Sequence, residues 1–530
     1  MDTQQKLIEI EERRRKLAQG GGATAIDRQH SRGKLTAWER MEVLFDPGTF
    51  QELGLYAKPF KTGFDIDNTE IARDAIVTGY GEINGRMVYA SCFDFTVVGG
   101  SQGAMQMIKL GKMMQQARDE GIPYIGIVDS AGRRIQDLFG KWGFRSPIRI
   151  RGCEEGAFDM FCPPIASGVI PQISVMLGPC YAGTAYSPIM ADVTIFRRDT
   201  SFMSLASPSL LKAVTFVDVT QDEIGGALLH ATVTGSCDIL VDSDEEALNK
   251  CRQLLSFLPS NWREKPPFLD TGDDPSRREE ELLELVPPDT SKPFAVHRLI
   301  SLIVDKGEFF ELMSLYAQNM VIGFARLAGQ VVGIVANNPM VADGSLDANA
   351  CDKEAHFIRT CDSFNVPLIF LVDTPGFLPS VEQEQSREGL ERHGAKPVFA
   401  ICESTVPKIA IYLRRCYGAG RLVMGTKEMG MDVALAWPNA ELRIMELNSL
   451  ARLIYKDEIT RSDKPEELIQ NKVQQLEQRF SEPYHSAEIL AVDDIIDPRD
   501  TRPILVNMLR RLSKKQEPAL PWRKHGLVPM

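Results

Sequence analysis

Residues 124–130 read YIGIVDS and residues 368–374 read LIFLVDT, two apolar runs that both contain an aspartate close to their end. Such runs predict strands of a parallel sheet, because strands covered on both faces are apolar throughout. Each run follows an earlier apolar stretch and a segment with helical periodicity. This β-α-β alternation predicts an α/β fold, with mostly parallel sheets covered by helices.

The two runs belong to a longer internal repeat. At a constant shift of 244 residues, ten residues of the first half recur in the second half without a gap: Gly85, Val88, Gly100, Ser101, Lys109, Pro123, Ile125, Val128, Asp129 and Gly132. A block before this region recurs at a shift of 259 residues, and a block after it recurs at a shift of 236 residues. Because chance similarity between two α/β domains rarely keeps collinear order, we interpret the pattern as a tandem duplication.

Proline and charge patterns divide the chain. Prolines interleave with charged clusters from about residue 258 to 292, which predicts an N-terminal domain at 1–260, a linker at 261–292 and a C-terminal domain at 293–530. Residues 2–18 are charged and favour a helix, which Gly20-Gly21-Gly22 would end. That helix is expected to be a solvated arm or an oligomer contact.

Composition excludes several classes of function. A net charge of −12 disfavours nucleic acid as a partner, and no apolar run reaches the length of a membrane span. The ten cysteines lack the spacing of a disulfide framework or a CxxC pair, so we expect reduced thiols and a cytoplasmic protein. Phosphate loops, GxGxxG turns and HExxH motifs are missing, and the seven histidines are dispersed. The sequence therefore predicts no metal site.

Small-residue turns follow a further strand in each half. They are Tyr181-Ala182-Gly183 and Tyr417-Gly418-Ala419-Gly420. In open α/β sheets, sites lie at the carboxyl ends of strands, and small residues there leave backbone N–H groups accessible. Two such turns could stabilise negative charge on two oxygens. The alternative is that these residues only permit close packing of a helix on the sheet.

At these segments the sequence resembles the carboxyltransferase (beta) subunits of biotin-dependent acyl-CoA carboxylases, the propionyl-CoA and methylcrotonyl-CoA carboxylase group. The resemblance covers nearly the whole chain. Its motifs are GKLTAWERMEVLFDPGTFQE, FTVVGGSQG, DSAGRRIQ, GPCYAGTAYSP, IGGALLH, VGIVANNP, FIRTCDSFNVPLIFLVDTPGFLP, RHGAK and YGAGRLVMG.

The resemblance implies tandem duplicated crotonase-like (ClpP/crotonase) domains, a coenzyme A thioester substrate, and a homo-hexamer. Biotin would arrive on a separate carrier protein charged by a biotin carboxylase subunit, because the chain has no AMKM biotinylation motif. In the family, carboxybiotin gives up its carboxyl group and its ureido nitrogen takes the α-proton, so that an enolate attacks CO2. Transfer would thus occur to the α or vinylogous carbon of the acyl group.

Site residues follow from the resemblance. Ala182 and Gly183 are assigned to the acyl thioester oxygen, and Gly418, Ala419 and Gly420 to the biotin ureido oxygen. The further expected substrate contacts are Ala131, Gly132, Arg134, Tyr186, Gly376, Phe377, Arg421 and Leu422.

The chain also departs from the family pattern. Ala182 replaces a glycine, so its turn is expected to form an oxyanion hole only if its φ is below zero. Leu422 predicts an apolar acyl contact and Arg421 an attraction for a substrate carboxylate, while residues 385–391 form a longer segment than usual. Two alternatives stay open, a biotin-dependent decarboxylase subunit of the glutaconyl-CoA type and a non-catalytic scaffold.

Overall fold

A β-hairpin begins the central sheet in each half of the computed structural model. Its turn is Asn84-Gly85 in the first half (φ 51° and 73°) and Ala328-Gly329 in the second (φ 49° and 81°). Two successive residues with positive φ form the tight turn that matches strand twist. The turns lie 244 residues apart, so the duplicated sequence repeats even the hairpin conformation. The structure describes residues 2–139, 158–378, 380–385, 389–479 and 483–515.

The chain divides into two units, residues 1–264 and 265–530. Strands of the first unit are β1 (Gln51–Glu52), β2 (Ile76–Ile83), β3 (Arg86–Phe93), β4 (Tyr124–Val128), β5 (Gln172–Met176), β6 (Pro179–Tyr181), β7 (Val193–Arg197), β8 (Phe202–Ser204) and β9 (Ile239–Val241). Its helices are α1 (Thr3–Ala18), α2 (Ala23–His30), α3 (Ala37–Leu44), α4 (Ala104–Glu120), α5 (Ile135–Phe139), α6 (Phe158–Ala166), α7 (Tyr186–Ile189), α8 (Pro208–Thr215), α9 (Gln221–Gly225), α10 (Ala227–Leu229) and α11 (Asp244–Leu255).

The second unit repeats this pattern. Its strands are β10 (Phe309–Leu312), β11 (Met320–Leu327), β12 (Gln330–Asn337), β13 (Leu368–Thr374), β14 (Lys408–Tyr417), β15 (Val433–Ala436), β16 (Glu441–Arg443) and β17 (Asp494–Ile495). Its helices are α12 (Leu282–Leu285), α13 (Val296–Ile303), α14 (Ala348–Ser363), α15 (Val381–Glu384), α16 (Leu390–Glu403), α17 (Gly420–Val423), α18 (Leu447–Ile454), α19 (Lys456–Thr460), α20 (Pro465–Arg479), α21 (Tyr484–Glu488) and α22 (Thr501–Leu512).

The two sheets share one topology. The first has the order β1-β2-β3-β4-β5-β7-β9, with antiparallel pairing up to β3 and parallel pairing beyond it. The second runs β10-β11-β12-β13-β14-β15-β17 and changes from antiparallel to parallel at β12. In both units the parallel strands place their carboxyl ends along one edge, where the predicted turns lie.

Burial of apolar strands supports each sheet. All residues of β5, β7, β13 and β14 are buried, as expected for strands covered on both faces. The helix α14 covers the second sheet, and Asp347 caps its start by accepting a 2.8 Å hydrogen bond from the N–H of Ala350. This cap fixes the helix start near the strand ends.

The segment predicted as a linker, 261–292, packs mainly as part of the second unit. Leu282 is buried in that unit's core, and the Arg414 guanidinium binds the carbonyls of Pro287, Asp289 and Lys292. The structure therefore divides the chain after Glu264, near the start of the predicted linker.

Candidate functional site

Two turns meet at the strand ends of the first unit. Gly132 has a φ of 95°, and a Cβ placed on it would lie 3.5 Å from the Cβ of Tyr181 and 3.7 Å from its carbonyl oxygen. The Gly132 N–H donates to Ser130 Oγ (3.1 Å), and that hydroxyl donates to the carbonyl of Gly100 (2.8 Å). The strand end thus holds the Ala131-Gly132 turn against the Ala182-Gly183 turn.

The second unit contains the same arrangement. Gly376, with a φ of 115°, lies against Tyr417, because a Cβ on Gly376 would be 3.5 Å from the Tyr417 carbonyl oxygen. Its N–H donates to Thr374 Oγ1 (3.2 Å), and Thr374 Oγ1 donates to the carbonyl of Gly344 (2.9 Å). A Cβ on Gly420 would approach the Gly376 Cα to 2.7 Å. Close approach of the two turns therefore requires glycine at position 420.

The backbone of Ala182 does not meet the condition of a negative φ that the sequence set for an oxyanion hole. Its φ is 56°, the same value as that of Gly418, its counterpart at the shift of 236 residues. The left-handed conformation costs an alanine roughly 1–2 kcal/mol. The first turn thus keeps the same backbone conformation as the second, although this conformation is unfavourable for an alanine.

Free amides distinguish the residues of these turns. Within the described chain, no hydrogen-bond acceptor faces the N–H groups of Gly183, Ala419 or Gly420. The Gly418 N–H, in contrast, donates to the Arg443 carbonyl at 2.9 Å, and the Gly376 N–H is engaged by Thr374. Gly418 and Gly376 therefore shape the second turn, whereas the other amides are available to a ligand.

A hydrogen bond to its hydroxyl group holds the tyrosine that precedes each turn. The Tyr181 hydroxyl pairs with Gln221, and the Tyr417 hydroxyl donates to Glu441. Burial raises the pKa of both phenols, and Glu441 raises that of Tyr417 further. Both rings are consequently neutral supports for the turns.

Buried aspartates fix both strand ends. Asp129 binds Lys34 Nζ (2.7 Å) and Arg40 Nη1 (3.0 Å), and burial lowers the pKa of Lys34. Asp373 binds Arg414 Nη2 (2.7 Å) and Arg415 Nε (3.1 Å). The sequence pattern identified the two aspartates as a repeat, but it gave no signal for their cations, which come from distant or unrelated positions.

A cavity of about 430 Å³ opens beside the turn of the second unit. It brings together three predicted residues, Phe377, Ala419 and Leu422. Its other lining residues are Glu384, Leu390, Glu391, Gly394, Ala395, Val398 and Val423. A volume and an apolar lining of this kind suit one small organic group. Sequence reasoning missed Glu384 and Glu391, for which the unusual length of 385–391 was the available signal.

Arg134 is placed differently from its expected contact with coenzyme A. Its side chain is buried, and its guanidinium binds Asp74 Oδ1 (2.6 Å) and the Ser101 carbonyl (2.9 Å). These contacts use the cation to fix the loop before α4. Arg421 pairs with Glu428 at 3.5 Å.

The other two predicted contacts of the first unit lie at the surface. Ala131 is exposed next to Gly132, and Tyr186 is half exposed at the start of α7. Both positions leave the side chains accessible beside the first turn.

Comparison with known proteins agrees with this arrangement. The model of the carboxyl transferase domain matches residues 28–528. The carboxyltransferase subunit of propionyl-CoA carboxylase from Haloferax mediterranei is 41% identical over 530 residues, 100% of both chains. The alpha subunit of methylmalonyl-CoA decarboxylase from Veillonella parvula is 40% identical over 527 residues, 99% of each chain.

A solved structure is also similar. The transcarboxylase 12S subunit, a hexamer described with methylmalonyl-coenzyme A and methylmalonic acid bound, aligns with a TM-score of 0.94 at 40% identity. The alignment covers 100% of this chain and 99% of that one. No helix in the described residues is long and apolar enough to cross a membrane.

These findings confirm the fold class, tandem duplicated crotonase-like domains, and the resemblance stated from the motifs. Biotin as cofactor and a coenzyme A thioester as substrate follow with the family. The chain belongs to the carboxyl transferase family, as a carboxyltransferase subunit of the biotin-dependent acyl-CoA carboxylase type.

Proposed function

We propose that this chain moves a carboxyl group from carboxybiotin on a separate carrier protein to the α or vinylogous carbon of an acyl-CoA, with one oxyanion hole in each unit. The observation that carries the proposal is the repeated turn. Ala182 and Gly418 share a φ of 56°, and each precedes a residue, Gly183 or Ala419, whose N–H has no acceptor among the described residues. An amide fixed in advance stabilises an oxyanion without reorganisation.

In the first unit, the Gly183 N–H would donate to the thioester oxygen when the acyl-CoA becomes an enolate. The Ala182 methyl lies at the exposed edge of the turn and narrows it. Ala131, Gly132 and Tyr186 would contact the substrate around this turn. Arg134 would act indirectly, by holding the loop through Asp74.

In the second unit, the N–H groups of Ala419 and Gly420 would donate to the ureido oxygen of biotin. The apolar cavity beside them, with Phe377 and Leu422 in its wall, fits a small uncharged ring. Bound there, biotin would supply the CO2 and the acceptor for the α-proton. No catalytic base is then required of this chain, and its residues orient the ligand and exclude water.

The relatives suggest the first substrates to test. Propionyl-CoA and methylmalonyl-CoA appear in their names, and we propose this pair as the substrate and product. The decarboxylase relative keeps the reverse direction as the alternative, a biotin-dependent acyl-CoA decarboxylase. Assaying carboxylation and decarboxylation with the same protein distinguishes the two.

We also propose a homo-hexamer that works with a biotin carboxyl carrier protein and a biotin carboxylase subunit in the cytoplasm. The hexameric transcarboxylase 12S subunit supports this assembly. The first unit also exposes several large apolar side chains between residues 205 and 233, which supports a contact surface there; they are Leu205, Leu210, Val214, Phe216, Val217, Leu228 and Val233. Exposed apolar patches mark contact surfaces between proteins.

The experiment removes one amide. Ala419 has a φ of −69°, which proline also adopts, so Ala419→Pro deletes the N–H with little change in its own backbone angle. Ala419→Ser keeps the N–H and serves as the control. With methylmalonyl-CoA and free biotin as substrates, release of propionyl-CoA should fall about 100-fold in the proline variant only. Equal turnover of both variants, with intact oligomers, would reject the second oxyanion hole.

A further inference from the structure

Two carboxylates stand at the cavity of the second unit. Glu384, at the end of α15, and Glu391, in the first turn of α16, both line it and are both exposed. The remaining lining residues are uncharged. Among the described residues, the cavity wall therefore carries two negative charges and no positive one.

The described basic side chains of α16 and α17 lie outside the cavity wall, and three of them face a carboxylate elsewhere. Lys396 Nζ lies 2.8 Å from Asp352 Oδ1, and His393 Nδ1 is 2.8 Å from the same oxygen. Arg421 faces Glu428. Arg392 follows Glu391 in α16 but is not part of the wall, because adjacent helical residues point about 100° apart.

The size of the cavity sets the strength of the electrostatic repulsion between these carboxylates and an anionic ligand. A volume near 430 Å³ corresponds to a sphere about 9 Å across, so a ligand anywhere inside is within roughly 8 Å of both carboxylates. At that separation and in a largely aqueous dielectric, one like charge weakens binding roughly threefold, and two weaken it roughly tenfold.

We propose that Glu384 and Glu391 make this cavity discriminate by charge between the two forms of biotin, binding the uncharged ring more tightly than its N-carboxylated anion. The inference rests on the proposed function, which places biotin here. Carboxylated biotin carries one negative charge and uncarboxylated biotin carries none. Within the bound complex, tighter binding of the uncharged form favours the state in which the carboxyl group has moved to the acyl-CoA.

The test measures binding rather than turnover. Two analogues of biotin methylamide are titrated by ligand-observed NMR into the full-length protein, one with an N1′-carboxymethyl group and one with the uncharged N1′-carbamoylmethyl group. They have nearly the same shape and differ in charge. Variants are Glu384→Gln, Glu391→Gln and their combination, and Glu382→Gln is the control, because Glu382 lies in the same helix outside the cavity wall.

In low salt, the wild-type protein should bind the anionic analogue roughly tenfold more weakly than the uncharged one. Each single variant should reduce the ratio of the two dissociation constants, anionic over uncharged, roughly threefold. The double variant should bring this ratio close to one, and Glu382→Gln should leave it unchanged. Raising the salt to 0.5 M should reduce the wild-type ratio too.

The outcomes separate the two proposals. An unchanged ratio in the double variant, with both analogues still bound, overturns the charge discrimination and leaves the proposed function intact. Failure of the wild-type protein to bind either analogue overturns both proposals.

Discussion

A buried glutamate in the second unit predicts an unusual pH dependence of stability. Glu354, in α14, is fully buried, and neither carboxyl oxygen has a hydrogen-bond partner within the described residues. Burial raises the pKa of Glu354 well above its usual range. The corresponding residue of the first unit, 244 positions earlier, is Leu110, which is also buried. We therefore expect Glu354→Leu to stabilise the protein, most of all at high pH.

The magnitude of this pH dependence of stability follows from proton linkage. An unfolded glutamate loses its proton near pH 4.3, whereas Glu354 in the folded state keeps its proton to a higher pH. Unfolding then releases a proton, so the contribution of Glu354 to stability is complete below pH 4 and declines as the pH rises. The decline reaches about 1.4 kcal/mol per pH unit, or up to about 2.7 kcal/mol from pH 5.5 to 7.5.

Thermal unfolding at pH 5.5 and 7.5 measures the effect. The gain of Glu354→Leu over wild type should be about 5–10 °C larger at pH 7.5. Glu354→Gln is the control, because it removes the titration but leaves an unpaired polar group; it should show the same pH effect from a lower starting stability. If the difference between wild type and both variants does not change with pH, Glu354 is not held as a buried neutral acid and the reasoning fails.

Three further predictions concern the turns. Ala182→Gly should stabilise the protein by about 1 kcal/mol and Gly418→Ala should destabilise it similarly, because both positions have a φ of 56°; denaturant unfolding measures both. Asp373→Asn should cost about 3 kcal/mol in the same assay, since it leaves the buried Arg414 guanidinium without its counter-charge, and a loss below 0.5 kcal/mol would contradict this role. Gly420→Ala should lower transfer to biotin about 100-fold, since its Cβ would displace Gly376, and unchanged turnover would show that the turns can separate freely.

The sequence predicted the strands and the position of the turns well. The runs at 124–130 and 368–374 contain β4 and β13, because short apolar runs bounded by turn residues are typical of strands covered on both faces. Duplication strengthened the assignment, since each half supplied independent support for the other. The same reasoning placed Gly183 and Ala419 at strand ends, where the structure shows their free amides.

Other features depend on contacts that a pattern does not specify. The condition of a negative φ at Ala182 came from alanine's own preference. Both turns instead adopt a φ of 56°, and this geometry still leaves the Gly183 N–H without an acceptor among the described residues. Arg134 appeared available for coenzyme A, but its partner Asp74 lies 60 residues away in sequence. The prolines of 261–292 suggested a linker, although the Pro287 carbonyl accepts a hydrogen bond from Arg414 within the second unit. Contacts between residues far apart in sequence decided each of the last two cases.

If each unit holds one reactant as proposed, the duplicated turn explains how one fold can serve two different reactants. Under the proposed function, its free amides would stabilise an oxygen that becomes negative, which a thioester and a ureido group both provide. Selectivity must then come from the surroundings of each turn, and these are where the halves differ. The first turn has an alanine methyl at its exposed edge, whereas the second opens into an apolar cavity with two carboxylates. Single substitutions at Ala182 or Gly418 should therefore alter stability far more than ligand binding. Substitutions of Glu384 and Glu391 should instead alter the discrimination between the two forms of biotin far more than stability.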